Sequence, residues 1–206
     1  MYARSTTIVA QPSSIDAGIT HVSDEVMPAL QGLEGYAGLS LLADRSSGRC
    51  IATTAWQSSE AMRASVESVL PIRDRVAEIL GGSAKVEEWE IAVLYRDHGS
   101  NAGASVRTTW VRVDPDRMDW VIDLYKRMVL AEVAKLRGFC GNSLLVNRGS
   151  GLTVSSSSFD SLEALEQNGD QLDRIRTAAT TEGGAQVLDI GNFELAVARL
   201  GVPDIA

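Results

Sequence analysis

The chain has 206 residues, 45% hydrophobic and 22% charged, which is the balance of a soluble globular protein and excludes a disordered one. Its net charge of -8 speaks against a nucleic-acid or anionic-membrane surface, because phosphate binding needs clustered Lys and Arg and the 19 here are scattered. No apolar run approaches a membrane span, and the N-terminal MYARSTTIVAQ lacks the basic start and apolar stretch of a secretion signal, so a cytoplasmic protein is expected.

In chain order, ARSTTIVAQ is β-branched and reads as a strand, and Pro12, Ser13 and Asp16 then supply an S-x-x-D helix start. Ile15, Ile19, Val22, Val26, Leu30 and Leu33 recur at steps of three and four, lining one face of a helix that Gly35 and Gly38 end. GLSLLAD and RCIATTAW read as strands joined by the turn formers RSSG, a hairpin. Ser58 or Ser59 opens a second helix carrying Met62, Val66 and Val69, which Pro71 is expected to break or kink. KVEEWEIAVLY then alternates, with Trp89, Ile91, Val93 and Tyr95 on one face and Glu88, Glu90, Ala92 and Leu94 on the other. Strand, helix, strand, strand, helix, strand is the order of the split βαβ, or ferredoxin-like, unit.

The chain then says this again. One ungapped register pairs Arg4 with Arg107, Pro12 with Pro115, Asp16 with Asp119, Leu33 with Leu136 and Glu60 with Glu163. A period this long exceeds solenoid repeats, so each copy is expected to be a domain: 1–97, then the polar, Gly-rich linker 98–104, then 105–206. In copy two Met118, Ile122, Tyr125, Val129, Val133 and Leu136 form the first helical stripe. A four-stranded sheet with both helices on one face leaves the other face open, and its twin can cover it. The predicted fold class is α+β, two ferredoxin-like βαββαβ units packed sheet to sheet as an intrachain α/β barrel. Arg4 and Arg107 in the first strands are expected to pair across the sheet with Glu90 and Glu194 in the last. Cys50 and Cys140 occupy non-equivalent places, facing Thr153 and Ala37, and read as buried thiols outside any shared disulfide or metal plan.

GYAGLSLLADRSSGRCIATTAWQSSEAM and its counterparts GFCGNSLLVNRGSG and FDSLEAL resemble the antibiotic biosynthesis monooxygenase (ABM) family of the dimeric α/β-barrel superfamily, with its G-[FY]-x-G-x-x-L-L corner and W-x-S-x-E-A-[LM] helix start. The resemblance spans Ala3–Tyr95 and Ser105–Arg199. It implies oxygenation of a small aromatic or quinol-type substrate with no cofactor and no metal, the substrate supplying the electrons in an enclosed apolar pocket. Carried over residue by residue, it makes Trp56, Arg73 and Arg176 the catalytic candidates, the two arginines as oxyanion stabilisers, and Thr7, Tyr36, Trp56, Trp110 and Phe159 the substrate-binding candidates. A solvated surface role for the arginines and a core role for Trp56 and Phe159 are the competing readings. The haem-degrading branch is unsupported, because its strand Asn is replaced by Thr7 and Trp110 and neither second helix holds a His. His21 and His98 are expected at the surface.

No P-loop, dinucleotide G-x-G-x-x-G, paired-His metal motif or G-x-S-x-G elbow occurs. The serine run TVSSSSF reads as strand chemistry without a nearby His. Because Thr7 faces Trp110 and Ala17 faces Trp120, copy one is expected to keep the more open cavity and copy two to be filled in. The alternative to an enzyme is a non-catalytic barrel that binds an apolar ligand or serves as a structural module, and a homodimer of the tandem chain is a further expectation.

Overall fold

The computed structural model describes residues 1–98, 103–201 and 205, so the expected linker falls largely outside the described residues. Copy one comprises β1 (Tyr2–Val9), α1 (Ile15–His21), α2 (Met27–Gln31), β2 (Tyr36–Ala43), β3 (Arg49–Trp56), α3 (Ser59–Ala64), α4 (Val66–Leu80) and β4 (Ala84–Arg96). Copy two repeats the series as β5 (Ser105–Arg112), α5 (Met118–Tyr125), α6 (Ala131–Val133), β6 (Phe139–Asn147), β7 (Leu152–Phe159), α7 (Leu162–Gln167), α8 (Gly169–Gly183) and β8 (Gln186–Leu200). The first helix of each copy passes through a π-helical stretch, Val22–Val26 and Lys126–Leu130. The eight strands close into one barrel in the order β1-β3-β2-β8-β5-β7-β6-β4, an α+β fold.

Two compact units divide the described chain. One holds Met1–Trp89 together with β8 from Glu194 onward, and the other holds Glu90–Phe193. The long last strand of each copy therefore runs from one unit into the other. In the first unit β8 pairs with β2, from Gly38↔Leu200 to Ala43↔Glu194. In the second, β4 pairs with β6, from Glu90↔Val146 to Arg96↔Gly141. Each ladder carries a bulge at an alanine, Ala196 or Ala92, which breaks the strict alternation expected along these strands.

Both units bury an apolar layer between sheet and helices, as the helical stripes require. In the first, Ile8, Ile15, Val22, Leu30, Leu39, Leu41 and Leu80 form one cluster. Gly18 permits it: a Cβ there would lie 2.3 Å from Leu80 Cδ2, so helix α1 receives the leucine only because it has no side chain at that point. The second unit has Val93, Val113, Met118, Ile122, Leu144 and Val146 in one cluster and Val133, Phe139, Phe159, Leu165 and Leu172 in another.

Two sequence expectations are corrected. The Arg–Glu pairs are offset by two residues: Arg4 binds Glu88 at 2.9 Å, and Arg107 binds Asn192 at 3.0 Å. Glu90 and Glu194 instead meet Arg148 and Arg45, each of which also holds a first-helix aspartate, Asp119 or Asp16. Each three-residue cluster takes its glutamate from the last strand of the other copy, because that strand has crossed units. Nor does Pro71 break its helix. It lies inside α4, and the break falls earlier, at Ser65. The same break recurs at Asn168, where no proline follows, so the missing proline N–H does not set it.

Candidate functional site

Each unit has a cavity between its sheet and its helices, at equivalent positions. In the first, alternate residues Arg4, Thr6 and Ile8 of β1 and Cys50, Ala52 and Thr54 of β3 face Val22, Leu39, Val76 and Leu80 around about 50 Å³. In the second, Arg107, Thr109 and Val111 of β5 and Thr153, Ser155 and Ser157 of β7 face helices α5 and α8 around about 90 Å³. The expected asymmetry is thus reversed, and copy two holds the larger space.

The reason lies in which side chains point inward. Strand side chains alternate, so with Arg4, Thr6 and Ile8 facing the cavity, Thr7 and its counterpart Trp110 face away. Trp110 is half-buried and sits edge-to-face with Phe193, ring centroids 6.2 Å apart. Trp120 is exposed, with the Arg117 guanidinium 4.1 Å over its ring. Neither tryptophan fills copy two. What sets the volume is a different exchange: Val76 and Leu80 of copy one correspond to Ala179 and Gly183 of copy two. A Cβ on Gly183 would meet only ordinary contacts at 3.6 Å, so this glycine leaves space that nothing else occupies.

The lining also changes character. Val22, Leu39, Cys50 and Ala52 correspond to Tyr125, Asn142, Thr153 and Ser155; Tyr125, Thr153 and Ser155 line the second cavity, and Asn142 is joined to that lining by hydrogen bonds. The buried Tyr125 hydroxyl donates to Asn142 Oδ1 at 2.8 Å, and Asn142 Nδ2 donates to Ser157 Oγ at 2.9 Å. Burial pushes the Tyr125 phenol up to about 12, against the opposing pull of its hydrogen bonds to Asn142 and Ser155. It is therefore a neutral hydrogen-bonding group at ordinary pH. At the rim Arg107 and Arg176, with side chains 17% and 24% exposed, both reach Asp173 Oδ1, at 3.2 and 2.7 Å. No carboxylate or histidine lines either cavity among the described residues.

The other predicted site residues occupy distinct places. Arg73 lines the first cavity, 3.8 Å from Asp74, and Arg176 lines the second, so the fold does not bring the two together. Trp56 is fully buried, with Nε1 donating to Thr54 Oγ1 at 3.0 Å and its ring edge-to-face with Tyr36 at 5.8 Å. Phe159 is equally buried and makes the equivalent contact with Phe139 at 6.1 Å. An aromatic pair repeated in both copies, one polar-lined and one not, has the geometry of a core contact. Burial raises the Tyr36 phenol as well.

The sequence reading passed over Tyr125 as a stripe residue and Ser155 and Ser157 as strand chemistry, and it did not single out Asn142. The signal was present in the repeat for Tyr125, Asn142 and Ser155, which face Val22, Leu39 and Ala52, whereas Ser157 faces Thr54 and is polar in both copies. A second group escaped it as well. His98, Cys140 and Asp160, far apart in sequence, place one ligand-type atom each within 4.8 Å of the others.

No family model matches the chain. The Mycobacterium tuberculosis (strain H37Rv) uncharacterized protein Rv2557 is 56% identical over 205 residues, covering 100% of this chain and 92% of that protein. Among solved structures, a candidate monooxygenase of Lactobacillus acidophilus NCFM aligns with a TM-score of 0.71 at 10% identity, over 97% of this chain and 96% of its own. An anthrone oxidase-like protein aligns at 0.70 and 16%, over 97% and 93%. A ferredoxin-fold protein of Listeria monocytogenes related to antibiotic biosynthesis monooxygenases aligns at 0.53 and 10%, over 95% of each chain. At these identities the solved structures establish a shared fold, that of ABM-like proteins.

Proposed function

We propose, on the premise that this chain belongs to the family of the M. tuberculosis protein Rv2557 and has the fold of ABM-like monooxygenases, that its copy-two cavity binds and oxygenates a small hydroxylated aromatic compound. One observation carries the reading: Tyr125 and Ser157 of the copy-two cavity are joined through Asn142 by a chain of hydrogen bonds, where copy one has Val22, Thr54 and Leu39. A satisfied polar chain at a cavity wall fixes the orientation of groups that a polar ligand can meet, which Val22 and Leu39 cannot offer.

The ligand class follows from size and polarity. At about 90 Å³ the space is smaller than the ~150 Å³ that admits benzene to an engineered cavity, so one ring fits with part of its volume at the Arg107–Arg176 rim. A fused three-ring compound is too large. Ser157 accepts from Asn142 and keeps its own hydrogen to donate, giving a substrate oxygen a fixed partner. In the catalytic reading a ring CH2 beside a carbonyl, the keto tautomer of a phenol, becomes C=O. One atom of O2 enters the carbon, the other leaves with both hydrogens as water, and the substrate supplies all four electrons with no cofactor. The Ser157 hydroxyl, oriented by the Asn142 amide, stabilises the enolate oxygen that forms on deprotonation.

A second reading, a non-catalytic ligand-binding barrel, is favoured by the lack, among the described residues, of any carboxylate or histidine in the cavity lining to take the proton. Oxygen uptake and calorimetric binding with single-ring phenols and quinols separate the two. Uptake abolished by Gly183→Leu, which restores the bulk copy one has at Leu80, supports the oxygenase. Binding that Gly183→Leu abolishes, without uptake, selects the binding protein, and binding insensitive to it removes the cavity from both. A cytosolic location and a homodimer of the tandem chain remain part of the proposal.

A further inference from the structure

We propose that His98, Cys140 and Asp160 form a Zn2+ site, separate from the copy-two cavity. Their ligand atoms lie within 4.8 Å of one another, with His98 Nε2 3.0 Å and Cys140 Sγ 3.2 Å from the same carboxylate oxygen, Asp160 Oδ1. Tetrahedral zinc with sulfur near 2.3 Å and nitrogen or oxygen near 2.0–2.1 Å sets its ligands roughly 3.3–3.8 Å apart. The two hydrogen-bonded contacts need only lengthen by a few tenths of an ångström. The donor set of one thiolate, one imidazole and one carboxylate suits zinc and is a poor match for magnesium or calcium, which take oxygen alone.

Three backbone features prepare the site. Cys140 is the extra residue of a β-bulge, since β6 pairs Phe139↔Phe159 and then Gly141↔Ser158, and a bulge re-aims the side chain it carries. The Cys140 carbonyl accepts from the Asp97 and His98 amides at 2.9 and 3.4 Å, which ties the His98 segment to the bulge. Asp160 is fixed by its amide donating to Gly138 O at 2.8 Å, and Gly138 has φ 77°. Beyond the ligands, Asp97 Oδ2 lies 3.2 Å from His98 Nδ1, the carboxylate that holds a ligating imidazole with Nε2 toward the metal. Cys140 is fully buried while His98 and Asp160 are 47% and 57% exposed, so the thiolate would anchor the ion from behind and leave its fourth position to water. Copy one has the same bulge but places Ala37 and Gln57 at the positions of Cys140 and Asp160, so the site is particular to copy two. Binding displaces to solvent the Cys140 thiol proton and the proton that His98 Nε2 shares with Asp160, while Nδ1 keeps its own toward Asp97.

The test uses the full chain, reduced and without a polyhistidine tag, titrated with Co2+ and then Zn2+. The expected result is a stoichiometric thiolate-to-cobalt charge-transfer band with tetrahedral ligand-field bands, displaced by Zn2+. Cys140→Ser removes the charge-transfer band and Cys50→Ser retains it. His98→Gln, at an exposed position that circular dichroism will show still folded, shifts the ligand-field bands. Asp97→Asn weakens Zn2+ binding by roughly tenfold or more while leaving the spectrum tetrahedral. No band at equimolar Co2+, a band that survives Cys140→Ser, or bands indifferent to His98→Gln would overturn the site.

Discussion

The two cavities show how a duplicated module divides its work. Both are framed by the same strands and helices, yet copy one narrows its space with Leu80 packed against Gly18, whereas copy two has Val121 and Gly183 at these positions and keeps the larger space. Around it three lining positions that are Val22, Cys50 and Ala52 in copy one become Tyr125, Thr153 and Ser155. The backbone is common to both, so the difference between the narrower and the wider, more polar cavity rests on a handful of side chains. The large aromatic residues that first draw attention in the sequence play little part in it.

The comparison can be broken hardest at the residues that should not differ. Trp56→Ala and Phe159→Ala each remove a fully buried aromatic side chain and should each cost about 3–5 kcal/mol in denaturant unfolding. A small loss for Trp56 alone would show that it is not the packing equivalent of Phe159. Next in size, Gly183→Leu should weaken calorimetric binding of a single-ring phenol by roughly 100-fold, since the added side chain competes for the same volume. The mirror change, Leu80→Ala, should instead cost about 2–5 kcal/mol by leaving a void under Gly18.

Polar lining offers a finer discriminator. Asn142→Leu removes the acceptor of the Tyr125 hydroxyl, leaving it Ser155 alone, and should cost about 1–3 kcal/mol, while adding Tyr125→Val to restore the copy-one residues at both positions should recover much of the loss. Alkaline titration reads the same group. The folded Tyr125 phenol is pushed up to about 12 from an ordinary value of 10.0, so its contribution to stability is present below pH 10 and is lost as pH rises toward 12. Ultraviolet absorbance should show one tyrosine ionising late, together with unfolding, and Tyr125→Phe should remove that late component. Smallest of all, Arg45→Ala and Arg148→Ala should each cost no more than about 1 kcal/mol and by similar amounts, since both arginines sit in equivalent half-exposed clusters.

How far the sequence carried depended on what was being read. The helical stripe from Ile15 to Leu33, the RSSG hairpin and the duplicated order of elements fixed the barrel, because apolar periodicity and turn chemistry are local signals. Strand alternation went unused where it mattered. With Arg4 facing the helices, Thr7 and Trp110 must face the other way, and that parity alone keeps Trp110 out of the cavity, whereas Trp120 is kept out by its exposed place on helix α5. The ion pairs were misplaced by two residues because a shift of two keeps a side chain on the same face, so alternation along a single strand does not record which of two like-facing residues meets the arginine. The cluster of His98, Cys140 and Asp160 was invisible for a simpler reason: it exists only when a bulge, a strand end and the segment after β4 converge.

The crossing of the last strands has a consequence for the order of synthesis. Residues Met1–Trp89 are synthesised before Glu194–Leu200, so the first unit is one strand short, with the edge of β2 bare, until β8 has emerged. An exposed strand edge is a template for pairing with other chains, so β8 acts as a seal on a sheet built about a hundred residues before it.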